Sequence, residues 1–227
     1  MTSAIIVAAG SGKRVGGELE KQFLPLCGFP LLKHCLQVFE DCDRIDQILL
    51  VLSEERIEFC KREVLSKFGI KKVLEPIPGG KRRQDSVYQG LNRVEGGIVL
   101  VHDGVRPLLQ SELLMRVIRE CETHQAVVPV IEIGDTLKKV DGGFVAATLN
   151  RTTIKGAQTP QAFEYSLIRQ AYDKAYEEGF YATDDASLVE RLGVKVKVIE
   201  GSPENIKITT KSDLLFAESI LKRRLSE

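Results

Sequence analysis

Cations and small residues gather at a few points of the chain where they could handle phosphate. Ala8-Ala9-Gly10-Ser11-Gly12-Lys13-Arg14 follows an apolar run, with Gly16-Gly17 and Lys21-Gln22-Phe23 beyond it. Small residues let the backbone approach a nucleotide closely, while Lys13, Arg14 and Lys21 supply positive charge. Two familiar phosphate motifs fail here. The pattern G-x-x-x-x-G-K-[ST] is absent, because Arg14 follows Gly12-Lys13 where Ser or Thr is required. The pattern G-x-G-x-x-G starts at Gly10 and Gly12 but meets Val15, and Leu52-Ser53 stands where a dehydrogenase would end its second strand in an acid. Gly79-Gly80-Lys81-Arg82-Arg83-Gln84-Asp85-Ser86 opens a helical segment and suits an anion or a base edge; a basic solvated turn is the alternative. His102-Asp103-Gly104-Val105-Arg106-Pro107 puts a carboxylate at a strand end, able to fix a ribose hydroxyl, a metal or a phosphate, or simply to pair with Arg106. Asp184-Asp185 reads as a helix cap in preference to a metal pair. Lys207 lies in the strand-like run Asn205–Thr210, where a cation needs an anionic partner. No Ser–His or Cys–His pair offers a nucleophile. Taken together, the residues describe polyphosphate chemistry without a covalent intermediate.

The elements that must position these residues alternate. Strand-length apolar runs at Ala4–Val7, Ile48–Leu52, Val73-Leu74, Ile98–Val101 and Ala126–Ile131 are separated by segments with apolar residues at i, i+3 and i+4: 32–39, 57–68, 87–91 and 113–121. Pro30 is expected at a first helical position, and Ser53 and Ser111 as N-caps followed by acids. Such βα alternation predicts an α/β fold with a mainly parallel, twisted sheet covered by helices on both faces. The rhythm breaks after Val130. Residues 135–156 read as a β-hairpin arm turning at Asp141-Gly142-Gly143, too thinly apolar to stand alone and so expected to pack on something else. A helix over Ser166–Glu178, a short one near Ala186–Leu192, a strand at Val194–Ile199 and a closing helix over Asp213–Arg223 complete the reading, with residues 1–227 forming one domain.

Composition narrows the classes. The 227 residues balance 32 Lys+Arg against 32 Asp+Glu, which argues against broad capture of nucleic acid. No apolar run approaches the ~20 residues of a membrane span, and the early strand at Ser3–Val7 leads us to expect no targeting segment, hence a cytoplasmic location. Cys27, Cys35, Cys42, Cys60 and Cys121 form an odd set without a C-x-x-C pair and read as small buried hydrophobes. His34, His102 and His124 show no metal-ligand spacing.

Eight short motifs in this order resemble the 2-C-methyl-D-erythritol 4-phosphate cytidylyltransferase family. They are Ala8-Ala9-Gly10-x-Gly12-x-Arg14, Lys21-Gln22-Phe23, Gly79-Gly80-x-x-Arg83-x-Asp85-Ser86-Val87, His102-Asp103-x-x-Arg106-Pro107, Asp135-Thr136-x-Lys138, Thr159-Pro160-Gln161, Thr183-Asp184-Asp185 and Asn205-Ile206-Lys207-Ile208-Thr209. The resemblance spans Ala4 to Leu214. It implies a Rossmann-like nucleotidyltransferase fold, a homodimer clasped by the β-arm, and Mg²⁺-dependent transfer of CMP from CTP to methylerythritol phosphate with release of pyrophosphate. By the same likeness Ala8, Ala9, Gly10, Gly12, Gly80 and Ser86 would face the nucleotide, and Asp103 would hold the ribose and the metal. Arg14, Lys21 and Lys207 would surround the phosphates and act in catalysis. Arg106, Thr136, Arg151, Thr159 and Thr183 would bind the acceptor, Arg151 and Thr183 reaching from the partner subunit. Two positions depart from the family: Gly104 stands where it usually has Ala, and Lys81 where relatives often have an acid. The alternatives are a ribitol 5-phosphate cytidylyltransferase, which shares most of these motifs, a dinucleotide-dependent oxidoreductase and a non-catalytic nucleotide-binding module.

Overall fold

A computed structural model of the chain describes residues 1–10 and 20–226. Strands β1 (Thr2–Val7), β4 (Gln47–Leu52), β5 (Ile77–Pro78) and β6 (Ile98–Asp103) pair in parallel in the order β6-β1-β4-β5. The sheet continues from β6 through β11 (Gln161–Glu164) to β7 (Ala126–Glu132). That strand also carries β10 (Lys155–Ala157) antiparallel and β12 (Lys197–Glu200) parallel. Every antiparallel pairing in this sheet involves β10 or β11. The fold is thus α/β with a mostly parallel core, as expected.

Alternation along the strands builds two cores. Ala4 and Ile6 of β1, Ile48, Leu50 and Leu52 of β4, and Leu100 of β6 pack on one face with helices α1 (Leu31–Glu40) and α4 (Ser111–Thr123). Ile5, Val7, Leu49, Val51, Val99 and Val101 face the other way, against α3 (Arg83–Leu91), α5 (Tyr165–Glu177) and α6 (Asp185–Glu190). Successive side chains point to opposite faces, so a strand covered on both sides must be apolar throughout. A third, smaller cluster joins Leu26, Leu31, Leu108 and Ile208 to Ala217 of the closing helix α7 (Lys211–Ser226). It bolts the loop carrying Lys207 onto the domain.

The structure corrects several local expectations. Pro30 belongs to a small hairpin of β2 (Pro25–Leu26) and β3 (Phe29–Pro30), and its extended ψ of 139° makes it the residue before α1, not the first helical one. Neither serine caps through its side chain. Ser53 precedes a 3-10 turn and sends its hydroxyl to Glu20, and Gln110, not Ser111, stands before α4. The helical period over 57–68 covers α2 (Ile57–Cys60) followed by a π-helical stretch over Lys61–Ser66. Val73 makes only a single bridge to Ile48, and the edge strand forms later, at Ile77–Pro78. Likewise β12 begins at Lys197 rather than Val194. Residues 205–210 form a loop, because their polar groups bond across to other segments: the Ile208 N–H donates to the Val105 carbonyl. β10 and β11 were not expected. Their sequences are short and polar-flanked, and only the neighbouring strands select the extended form.

The hairpin appears as predicted, formed by β8 (Lys138–Asp141) and β9 (Phe144–Thr148) with Gly142 and Gly143 at φ 54° and 85° in the turn. Among the described residues these two strands pair only with each other, and each of their residues is exposed. Among the described residues no helix is long and apolar enough to cross a membrane.

Candidate active site

At the carboxyl ends of β1, β4 and β6 lies a cleft of about 430 Å³. Ala8, Ala9 and Gly10 form one wall, Gly80 to Arg83 and Ser86 another, and Asp103, Lys21 and Lys207 its floor and rim. Close backbone packing shapes it. The Ala8 N–H donates to the Val51 carbonyl and the Gly79 N–H to the Leu52 carbonyl, at 2.8 and 2.7 Å. A Cβ on Gly79 would fall 2.4 Å from the Ala9 Cβ, so only glycine lets the two loops meet. The Ser86 hydroxyl accepts from the Gly80 N–H, and the Asp85 carboxylate from the Arg82 N–H, closing the turn that opens α3.

Asp103 is the electrostatic centre. Its Oδ1 accepts from Arg83 Nε at 2.9 Å, its Oδ2 lies 2.8 Å from Lys207 Nζ, and Arg106 Nε stands 3.8 Å from Oδ2. Burial alone would raise its pKa; the adjoining Arg83 and Lys207 outweigh that and hold the carboxyl below the usual carboxylate range. Asp103 is therefore the anionic partner that Lys207 needed. Lys21 Nζ donates to the Ile208 carbonyl, so both lysines meet on one side of the cleft. The loop beneath them is tied to α7: Glu204 pairs with Arg223 and Arg224, and Asp213 accepts from the Thr209 and Thr210 N–H groups.

Behind Asp103 a ring of hydrogen bonds fixes its neighbours. The Asp103 N–H donates to Thr159 Oγ1, which lies 2.9 Å from His102 Nδ1, while His102 Nε2 lies 3.3 Å from the Arg106 carbonyl. A carbonyl only accepts, so the proton sits on Nε2 and the Thr159 hydroxyl donates to Nδ1. Burial pushes the His102 pKa down to about 3, which keeps the ring neutral. Thr159 also fastens the loop, its carbonyl accepting from Asn205 Nδ2 at 2.7 Å, and Arg106 Nη1 donates to the Asn205 carbonyl at 2.6 Å.

Eight of the anticipated residues thus share the cleft: Ala8, Ala9, Gly10, Lys21, Gly80, Ser86, Asp103 and Lys207. Gly12 and Arg14 lie outside the described residues. Arg106 and Thr159 sit directly behind Asp103 and do not line the cleft. Thr136 and Arg151 are exposed at the base of the hairpin, where Arg151 donates to the Gly134 carbonyl, and Thr183 is exposed just before α6. Asp184 caps α6 by accepting from the Ser187 N–H at 3.1 Å. The motif around Arg83 does not reveal its individual role, which is to bridge Asp103 to Asp185. Its partners lie 20 and 102 residues away, a separation no local pattern reveals.

A glycine-lined cleft at the strand ends of a Rossmann-like sheet, floored by one carboxylate among cations, defines a nucleotidyltransferase-type site. The family model described as 2-C-methyl-D-erythritol 4-phosphate cytidylyltransferase matches residues 2–223, and the chain belongs to that family. The enzyme of this name from Geobacillus kaustophilus is 46% identical over 226 residues, covering 99% of this chain and 98% of the relative. That of Clostridioides difficile is 42% identical, covering 97% and 94%. Among solved structures, the 4-diphosphocytidyl-2C-methyl-D-erythritol synthase of Anaerococcus prevotii superposes with a TM-score of 0.86 at 34% identity, covering 97% and 96% of the two chains. The cytidylyltransferase of Thermus thermophilus superposes at 0.79 with 31% identity, covering 98% and 100%.

Proposed function

We propose that the chain transfers the CMP moiety of CTP to 2-C-methyl-D-erythritol 4-phosphate, giving 4-diphosphocytidyl-2-C-methyl-D-erythritol and pyrophosphate in the non-mevalonate isoprenoid pathway. The observation that carries this reading is the pairing of Lys207 and Arg83 with Asp103 in a cleft that Lys21 also lines, beside the Ala8–Gly10 and Gly80 backbone.

A phosphate monoester is already a nucleophile, so attack in line on the α-phosphorus needs no general base. The buried, neutral His102 is spoken for by its two hydrogen bonds and does not serve as one. The obstacle is charge: a dianion must approach a polyanion. Two unit charges 4 Å apart interact by about 4 kcal/mol at an effective dielectric of 20, so each well-placed cation offsets a substantial part of that repulsion. Lys21, Lys207 and, by family likeness, Arg14 supply these cations, and the reaction reduces to positioning and charge stabilisation. Ala8, Ala9, Gly10, Gly12, Gly80 and Ser86 would hold the cytidine.

Mg²⁺ fits the site. It is commonly held by one or two carboxylates together with substrate phosphates, and Asp103 is an ionised carboxylate facing the cleft whose two engaged oxygens retain further lone pairs. Bound there, the ion would neutralise charge on the phosphates.

The hairpin supports a homodimer. Val140, Phe144 and Val145 are 62, 80 and 62% exposed on a two-stranded ribbon that joins no other strand among the described residues, and a second copy would cover them. In that assembly residues 135–156 form the dimerisation arm of a single 1–227 domain. Arg151 and Thr183 would reach the partner's acceptor site, to which Arg106, Thr136 and Thr159 contribute. A cytoplasmic location is part of the same proposal.

The test is pyrophosphate release from CTP, with and without Mg²⁺, offering methylerythritol phosphate and ribitol 5-phosphate in separate reactions. Release with the first acceptor and Mg²⁺ is expected. Release only with ribitol 5-phosphate would reassign the acceptor, and none with either would leave a nucleotide-binding module.

A further inference from the structure

Arg83 uses its guanidinium in an unusual division of labour. A guanidinium meeting a carboxylate favours the two-pronged arrangement in which parallel N–H groups take both oxygens. Here the prongs go to Asp185: Nη1 to Oδ1 at 3.0 Å and Nη2 to Oδ2 at 2.8 Å. The Nε side faces Asp103, with Nε 2.9 Å from Oδ1. Asp185 is fully buried, and its Oδ1 also accepts from the Tyr172 hydroxyl at 2.5 Å. Its surroundings are pinned as well, since Gln161 accepts from the Ala186 N–H and donates to the neighbouring Asp184 carboxylate.

We propose that Asp185 is a positioning residue for nucleotide binding: by holding both terminal nitrogens of Arg83, it fixes the guanidinium with its Nε side on Asp103 Oδ1 and leaves the carboxylate turned toward the cleft. Without Asp185, Arg83 is free to swing its terminal nitrogens onto Asp103 and turn the carboxylate away from the position the ribose and its metal would use. Tyr172 serves the same end at one remove, by fixing the Asp185 carboxylate. The chain from α5 through α6 to the end of β6 thus sets the direction of one carboxylate. A second acid after Asp184 is required here not as a metal ligand or a cap but as a counter-ion that divides an arginine.

The proposal rests on the nucleotide reading of Asp103, so Asp103→Asn is measured beside it. The readouts are the calorimetric Kd for CTP with Mg²⁺ and the separate KM values of the two substrates. Asp185→Asn should weaken CTP binding by about tenfold, at the low end of what loss of an outer partner of a ligating group brings, and leave the acceptor KM within about twofold. Tyr172→Phe, which removes one hydrogen bond and keeps the ring, should show the same pattern at about threefold. In an Arg83→Lys background, where no prongs remain to be occupied, Asp185→Asn should add less than about twofold. Undiminished tenfold weakening in that background, equal increases in both KM values, or unchanged CTP affinity would each overturn it. Should Asp185→Asn fail to fold, the cycle of Tyr172→Phe with Arg83→Lys decides by the same criterion. If Asp103→Asn binds CTP as the unaltered chain does, the nucleotide reading itself falls; if Asp103→Asn weakens binding and Asp185→Asn does not, only the inference falls.

Discussion

Two residues make the site testable one side chain at a time. Lys21 lines the cleft, half-buried at its rim, and reaches the Ile208 carbonyl. Lys21→Ala should therefore lower kcat by roughly 10²–10³, the scale for losing one preorganised donor, with a melting temperature close to that of the unaltered protein. Steady-state kinetics and a thermal melt check both halves. His102 makes its mark on stability rather than turnover. Its pKa is about 3 in the folded protein, whereas the unfolded chain takes up the proton near 6.5. Above 6.5 neither state is protonated and the fold keeps its full stability. As pH falls from about 6.5 toward 3, only the unfolded chain binds the proton, and stability drops by up to about 1.4 kcal/mol per pH unit. Asp103 adds to the loss in the same direction at more acidic pH, because its folded pKa is depressed. Urea titrations at pH 7, 6 and 5 should give a steep decline for the native sequence and a shallower one for His102→Gln; parallel declines would take the effect away from His102.

At the scale of elements, α3 carries the nucleotide wall and its seat is tight. A Cβ on Gly90 would come within 2.7 Å of the Ile5 side chain on β1. Gly90→Ala should push the helix off the sheet, costing about 1–3 kcal/mol on denaturation and raising the KM for CTP through displacement of Arg83 and Ser86. A rise in the acceptor KM alone would contradict that route. The arm invites a second element-scale measurement. Phe144→Glu should give a folded monomer by sedimentation and raise the acceptor KM more than the CTP KM, since Arg151 and Thr136 sit at the arm's base. The sequence announced these elements unevenly. The strands of the central sheet were legible because Ile5, Leu50 and Val101 must be apolar on both faces, and the hairpin because Gly142-Gly143 supplies its turn. β10 and β11 were not, because Lys155–Ala157 and Gln161–Glu164 take their form from β7 and β6 rather than from their own composition. In the site, glycines and strand-end cations betrayed themselves by spacing. The sharing of Arg83 between Asp103 and Asp185 did not, being set by tertiary packing across two helices.

For the molecule as a whole, one contrast matters most. The chain carries no net charge, yet among the described residues those lining the cleft include five cations, Lys21, Lys81, Arg82, Arg83 and Lys207, against the single carboxylate of Asp103. The unliganded enzyme is an electrically balanced body with a small electropositive basin. An approaching nucleotide feels little until it comes within a screening distance of about 10 Å at 0.1 M salt, and then the cleft draws it in. Stopped-flow association of CTP should accordingly slow as potassium chloride rises from 0.02 to about 0.5 M, while the denaturation midpoint moves little over that range. Other polyanions of similar size should slip into the same basin, which makes the enzyme's own diphosphate by-product a natural brake on its throughput.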